Sequence, residues 1–255
     1  MRPDLNQPST APARSLPNDH SQHKQSLRMT HEEMIAWQQS HVNDMWRVFR
    51  IMAEFVDGFE TLSSVGPCVS VFGSARTPED DDYYRMGVEV GRKLVERGFG
   101  VITGGGPGIM EAANRGARDA GGASIGLNIV IPHEQESNPY VDRHHLINFN
   151  FFFVRKVMFV KYAQGFIVLP GGFGTMDELF ESLTLIQTGK STRFPIVLMG
   201  TEYWSGLVDW LKDKVLGSRY ISDHDPDLFM MTDDPDEAIR VIEEFYREHA
   251  MAPNF

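Results

Sequence analysis

The residues with the most chemistry to offer lie in two short stretches. Gly165–Glu181 reads GFIVLPGGFGTMDELFE, in which a glycine-rich run is followed within a few residues by the adjacent carboxylates Asp177 and Glu178. Upstream, Phe151–Ala163 (FFFVRKVMFVKYA) is a strongly apolar segment that nevertheless carries Arg155, Lys156 and Lys161. A positioned carboxylate can move a proton or stabilise a developing positive charge. A guanidinium is almost always charged and is costly to bury unless it meets an anion. Both also have a structural use. A carboxylate in the first turn of a helix caps it, and a half-buried arginine can complete a salt bridge.

The elements around these residues decide what the backbone adds. Gly165–Leu169 is a strand-type apolar run, and Pro170–Gly174 is a turn that calls for glycine. From Thr175 the spacing of Met176, Leu179, Phe180 and Leu183 predicts a helix, with Asp177 and Glu178 in its first turn. A strand, a glycine loop and a helix start form a ready anion site, because the first N–H groups of a helix lack intrahelical partners and the dipole is positive there.

The same pattern occurs twice more. Cys68–Phe72 (CVSVF) leads into Gly73–Arg76, after which Thr77 is expected to cap a helix with Pro78 at its first position, ending near Arg97 and Gly98. Phe99–Thr103 leads into GGGPGIMEAANRGA from Gly104. Further strands are expected at Ala123–Val130, Leu146–Asn150 and Phe194–Met199, with helices at Phe151–Ala163, from about Tyr203 to Val215, and at Pro235–His249. Leu228–Met231 is a short apolar run, and Pro132–Asn138 is a polar loop.

Strands alternating with helices imply right-handed crossovers and a parallel sheet covered on both faces, an α/β doubly wound, Rossmann-like domain over residues 65–250. In such a sheet the loops Gly73–Arg76, Gly104–Gly108 and Pro170–Thr175 converge where the strand order reverses. Before this domain, Thr30 and Glu33 form a capping-box signature, and Val42, Met45, Phe49, Met52, Val56 and Phe59 mark a long helix within residues 30–64. That stripe is expected to pack on its own domain or on a neighbouring subunit. Residues 1–29, rich in proline and polar residues, read as a disordered tail.

Composition narrows the classes of function. The formal net charge of −11 argues against nucleic acid or an anionic membrane as partner. Cys68 is the only cysteine, which fits a reducing cytoplasm and excludes an intrachain disulfide. No apolar run approaches the roughly 20 residues that span a bilayer, and residues 1–30 lack the apolar centre of a signal peptide. A dinucleotide fingerprint is missing, because Gly104, Gly106 and Gly108 follow the second strand at the wrong spacing. A Walker loop is missing as well, because Thr184 stands where Gly189-Lys190-Ser191 would need glycine. His144 and His145, in an extended segment, would point to opposite faces, so no metal site is expected. Asp80, Asp81 and Asp82 read as a solvated run near a helix start.

Arg155 and Lys156, GGGPGIM from Gly104 and PGGFGTMDE from Pro170 together resemble the LOG (Lonely Guy) family of cytokinin-activating phosphoribohydrolases, whose signature is PGGxGTxxE. Every fixed position of the signature is kept, and the resemblance runs from about Cys68 to His249, closest to the family's longer bacterial branch. It implies hydrolysis of the N-glycosidic bond of a nucleoside 5′-monophosphate such as AMP or an N6-modified AMP, with no cofactor. Arg155 and Glu178 match the catalytic pair. Lys156 and the run Gly171, Gly172, Phe173, Gly174, Thr175, Met176 and Asp177 match the substrate-contacting segment. Ser74, Gly105 and Gly106, in the other two converging loops, are counted with them.

In this scheme Glu178 stabilises oxocarbenium character on the ribose and activates water, Arg155 offsets charge on the leaving base, and Gly172, Gly174 and Thr175 hold the 5′-phosphate. LOG-like proteins also carry the label of lysine decarboxylase, a reaction that needs pyridoxal phosphate on a lysine and for which the sequence makes no strong case. The alternative is a non-catalytic nucleotide or molybdenum-cofactor carrier of the same fold. The presence of Arg155 and Glu178 together favours the enzyme. The resemblance further implies a homodimer or a larger even-numbered assembly.

Overall fold

The computed structural model describes residues 30–131 and 137–255. The expected tail, residues 1–29, and most of the expected Pro132–Asn138 loop lie outside these. The chain divides after Arg47 into two units. In the first, helix α1 (His31–Leu62) opens on the capping box: the Thr30 N–H donates to Glu33 Oε2 at 2.7 Å and the Glu33 N–H to Thr30 Oγ1 at 3.2 Å.

The second unit, residues 48–255, begins inside α1 and continues as β1 (Cys68–Phe72), α2 (Asp82–Glu96), β2 (Gly100–Thr103), α3 (Ile109–Asp119) and β3 (Ser124–Ile129). There follow β4 (Leu146–Phe149), α4 (Phe152–Tyr162), β5 (Ala163–Val168), α5 (Phe173–Gln187), β6 (Ile196–Met199), α6 (Thr201–Trp210), β7 (Met230–Thr232) and α7 (Pro235–Glu248). The seven strands form one parallel sheet in the order β4-β3-β2-β1-β5-β6-β7. The central strands β1 and β5 are buried end to end and mostly apolar, Ser70 and Gln164 being their polar members, as suits a sheet covered on both faces.

One face carries α4, α5 and α6, with Met158, Phe159, Leu179 and Trp204 in the core beneath them, joined by Leu62 of α1. The other carries α2, α3 and α7 through Val90, Leu94, Ala113, Ala117, Ile239 and Ile242.

Several boundaries differ from expectation, each for a local reason. Helix α2 is capped by Asp81, whose carboxylate accepts the Tyr83 N–H at 2.8 Å, and not by Thr77 with Pro78. The middle aspartate of the acidic run is therefore a cap. His144 and His145 sit in a 3-10 turn (Arg143–His145) instead of an extended segment, and His145 Nδ1 lies 3.3 Å from an Asp142 carboxylate oxygen. The run at Leu228–Met231 contributes the seventh strand. Helix α6 ends earlier than expected and continues as a wider π turn at Leu211–Leu216.

Candidate active site

The sheet order reverses between β1 and β5. From β1 the chain runs outward to β4, then returns to lay β5 on the other side of β1, which opens a crevice at the carboxyl ends of those two strands. Ser74 ties the three loops together there. Its N–H donates to the Pro170 carbonyl at 2.9 Å, and its own carbonyl accepts the Ile109 N–H at 3.0 Å, at the start of α3. Gly108 must be glycine for this contact: its φ is +67°, and a Cβ would stand 2.3 Å from the Ser74 oxygen. The loops enclose a cavity of about 660 Å³.

The floor of the cavity is the N-terminus of α5. The helix begins at Phe173, two residues before the expected start, so its first turn contains no acidic residue and Asp177 and Glu178 fall in the second. Neither carboxylate caps the helix. The N-cap is Gly172, which has no side chain to satisfy the first N–H groups, so those donors and the positive end of the dipole are left for an anion. Gly171 has to be small, since a Cβ there would meet Thr175 Oγ1 at 2.1 Å. The Tyr203 hydroxyl donates to the Gly171 carbonyl at 2.6 Å and holds the turn.

Above this floor α4 presents Arg155, whose guanidinium carbon lies 5.2 Å from the ring centre of Phe152 and 5.6 Å from that of Phe159. Glu178 is only 4 % exposed. Its Oε2 has no hydrogen-bond partner among the described residues. Burial pushes its carboxyl up to about 7; the Arg155 and Lys156 charges oppose that shift, and those of Glu181 and Asp177 reinforce it. A carboxyl with that value is half protonated near neutral pH and can either accept or donate a proton.

Of the residues expected at the site, Arg155, Glu178, Ser74, Gly106 and the run Gly171, Gly172, Phe173, Gly174, Thr175 and Met176 line this cavity. Gly105, Lys156 and Asp177 do not. Gly105 turns its N–H to Thr103 Oγ1 at 2.9 Å and its carbonyl to the Asn138 N–H at 2.8 Å. Lys156 Nζ lies 2.8 Å from Asp177 Oδ1 and 2.8 Å from Glu181 Oε2. Sequence reasoning missed Arg76, Met110, Ile129, Phe152, Phe159 and Tyr203 on the wall. Arg76 was within reach, as a cation at the end of a loop already expected to converge on the site. Met110 closes the GGGPGIM run, and Phe152 and Phe159 stand three before and four after Arg155 on α4, a helical spacing that puts them beside it; Ile129 and Tyr203, from β3 and α6, carry no local signal.

A family model described as "Possible lysine decarboxylase" matches residues 110–242, just over half of the chain. A cytokinin riboside 5′-monophosphate phosphoribohydrolase of Arabidopsis thaliana is 27 % identical over 187 residues, covering 69 % of this chain and 82 % of its own. The phosphoribohydrolase LOG of Oryza sativa subsp. japonica is 27 % identical over 171 residues, covering 66 % of this chain and 69 % of its own. Among solved structures, the molybdenum cofactor carrier protein of Chlamydomonas reinhardtii matches with a TM-score of 0.52 at 23 % identity, over 71 % of this chain and 98 % of that one, a likeness of fold.

Proposed function

Because the chain belongs to the LOG family, to which the "Possible lysine decarboxylase" model corresponds, we propose that it is a phosphoribohydrolase that splits the N-glycosidic bond of a nucleoside 5′-monophosphate, AMP or an N6-modified AMP, into free base and ribose 5-phosphate. The observation that carries this reading is the meeting of Glu178, buried and with its pKa near 7, with Arg155 across one cavity whose floor is an acid-free helix N-terminus.

The 5′-phosphate takes the N–H groups at the start of α5 and the Thr175 hydroxyl, where the open space beside Gly172 and Gly174 leaves room for its oxygens. Binding the phosphate there orients the sugar and supplies energy to the reacting bond. Ionised Glu178 stabilises the positive charge that builds on the ribose and takes a proton from the attacking water. Arg155 offsets the negative charge that gathers on the leaving base.

A carrier of the same fold would need an anion site but no buried, proton-accepting carboxyl opposite a cation. A decarboxylase using pyridoxal phosphate would need a lysine in the cavity, and none lines it among the described residues. The test is release of free base from AMP, GMP, CMP and N6-prenylated AMP side by side. Release of adenine or its prenylated form is expected. Tight nucleotide binding with no base released from any of the four would favour the carrier.

A further inference from the structure

Arg155 and Lys156 are neighbours on α4, and Asp177 and Glu178 are neighbours on α5, yet the four side chains sort into two facing pairs. Arg155 and Glu178 line the cavity, whereas Lys156 and Asp177 lie outside it and meet each other. Successive side chains on a helix diverge by about 100°, so one residue of each neighbouring pair must leave the site. Asp177 and Glu181, four apart, share one face of α5, and the Lys156 ammonium reaches both at 2.8 Å. The Lys156 side chain is 14 % exposed, against 56 % for Asp177 and 35 % for Glu181, so the cation is the sequestered partner and the carboxylates come to it.

We propose that Lys156 is a positioning residue for the reaction. With Asp177 and Glu181 it forms a three-centre clip that fixes α4 against α5 and thereby sets Arg155 opposite Glu178. This rests on the reading of the cavity as a phosphoribohydrolase site. It also moves Lys156 and Asp177 from the substrate contact that the family resemblance implies to a task behind the site.

Two features support the clip. Glu178 lies on α5, one residue after Asp177 and three before Glu181, so a shift of that helix carries its carboxylate with it, and its Oε2 accepts no hydrogen bond among the described residues that would resist the shift. The clip also sets the charge around it. The charged groups acting on Glu178 are Arg155 and Lys156 from α4 and Asp177 and Glu181 from α5, with Arg76 elsewhere on the cavity wall. Lys156 balances the two carboxylates that flank Glu178.

The test is the kinetics of the full-length Lys156→Met variant with AMP. Its kcat is expected to fall about 10- to 100-fold, the scale on which a misplacement of about 1 Å acts. Its KM should change less than about threefold, because no substrate contact is lost. Lys156→Arg, which can bond both carboxylates, should regain most of the rate. The acid limb of kcat/KM should move to higher pH, because the flanking carboxylates would then be unbalanced.

A rise in KM at constant kcat would assign Lys156 to the substrate and overturn the clip, as would unchanged kinetics. If Lys156→Met does not fold, the double variant Asp177→Asn with Glu181→Gln removes the clip from its exposed side. It should show the same fall in kcat, and an unchanged kcat overturns the proposal. If the wild type releases base from no nucleotide, the functional reading fails, while the clip remains open to carbon-13 NMR titration of the Glu178 carboxyl. The midpoint should rise in Lys156→Met, and an unmoved midpoint would overturn the clip.

Discussion

At the scale of single residues, Glu178 trades stability for chemistry. Its pKa in the folded protein, about 7, lies above the ordinary value of 4.5, so the folded state holds the proton more tightly than the unfolded chain. The stabilisation this gives is full below pH ~4.5 and is lost as pH rises through ~7; at about 1.4 kcal/mol per unit, the swing is roughly 3 kcal/mol. Glu178→Gln removes that swing. Denaturant unfolding across pH should show the variant about 2–3 kcal/mol more stable than wild type near pH 8, with the difference shrinking toward pH 4. An identical pH profile in the two proteins would mean that Glu178 titrates normally. Arg155→Ala should lower turnover per folded molecule, and Arg155→Lys should not fully restore it, since a planar fork and an ammonium are not interchangeable at an oriented site. A variant that loses only melting temperature, with turnover intact, would give Arg155 a purely structural role.

At the scale of elements, helix α4, which carries Arg155, is held at both ends by residues far off in the chain. Its N-cap, Phe151, offers no side-chain cap. Glu54 of α1 takes that place: its Oε1 accepts the Asn150 N–H at 2.9 Å and the Asn150 side-chain amide at 2.8 Å, and its Oε2 accepts the Phe151 N–H at 3.3 Å. At the other end α4 passes straight into β5 without a loop. The side-chain amide of Asn254 donates to the carbonyls of Val160 at 2.6 Å and Ala163 at 2.7 Å, satisfying groups that a helix end leaves open. Asn254→Ala should therefore cost about 1–3 kcal/mol in denaturant unfolding, the usual penalty for orphaned buried polar groups, and Glu54→Ala about 0.5–2 kcal/mol, the usual cost of a lost helix cap. A loss under about 0.5 kcal/mol, typical of surface changes, would contradict the role.

None of this was legible in the sequence, because Glu54 and Asn254 are 96 and 94 residues from their partners and no local period reports such a contact. What could be read was what the backbone makes periodic: the strands, the helices and the glycine turns between them. The start of α5 was misplaced by two residues because Phe173 and Gly174 read as turn, although Gly172 is the residue that leaves helical geometry. That small shift removes the capping alternative for the two carboxylates and leaves the expected anion site clear of them, with Glu178 one turn behind it.

At the scale of the whole molecule, α1 is apolar on two sides within residues 48–62. Ile51 and Phe55 pack on the core, Leu62 is buried in it, and a Cβ on Gly58 would meet the Met158 side chain at 2.7 Å. The stripe read from the sequence is the other side: Phe49, Met52, Val56 and Phe59 are 63, 56, 59 and 37 % exposed. An apolar face of that extent is unusual on a monomer, and a second copy of the chain is the occupant expected from the family resemblance. Light scattering at micromolar concentration should give an even multiple of 28.9 kDa, and a particle of 28.9 kDa would contradict it.

The most direct test of the central claim is the stoichiometry of products from AMP, measured in parallel for the wild type and Glu178→Gln, with nucleotide affinity followed by calorimetry. The wild type should release adenine and ribose 5-phosphate in equal amounts. Glu178→Gln should bind AMP nearly as well yet release base at least ~10²-fold more slowly, the scale of a lost general base. A variant that keeps more than about a tenth of the wild-type rate, or a wild type that binds AMP and leaves it whole, would contradict the account.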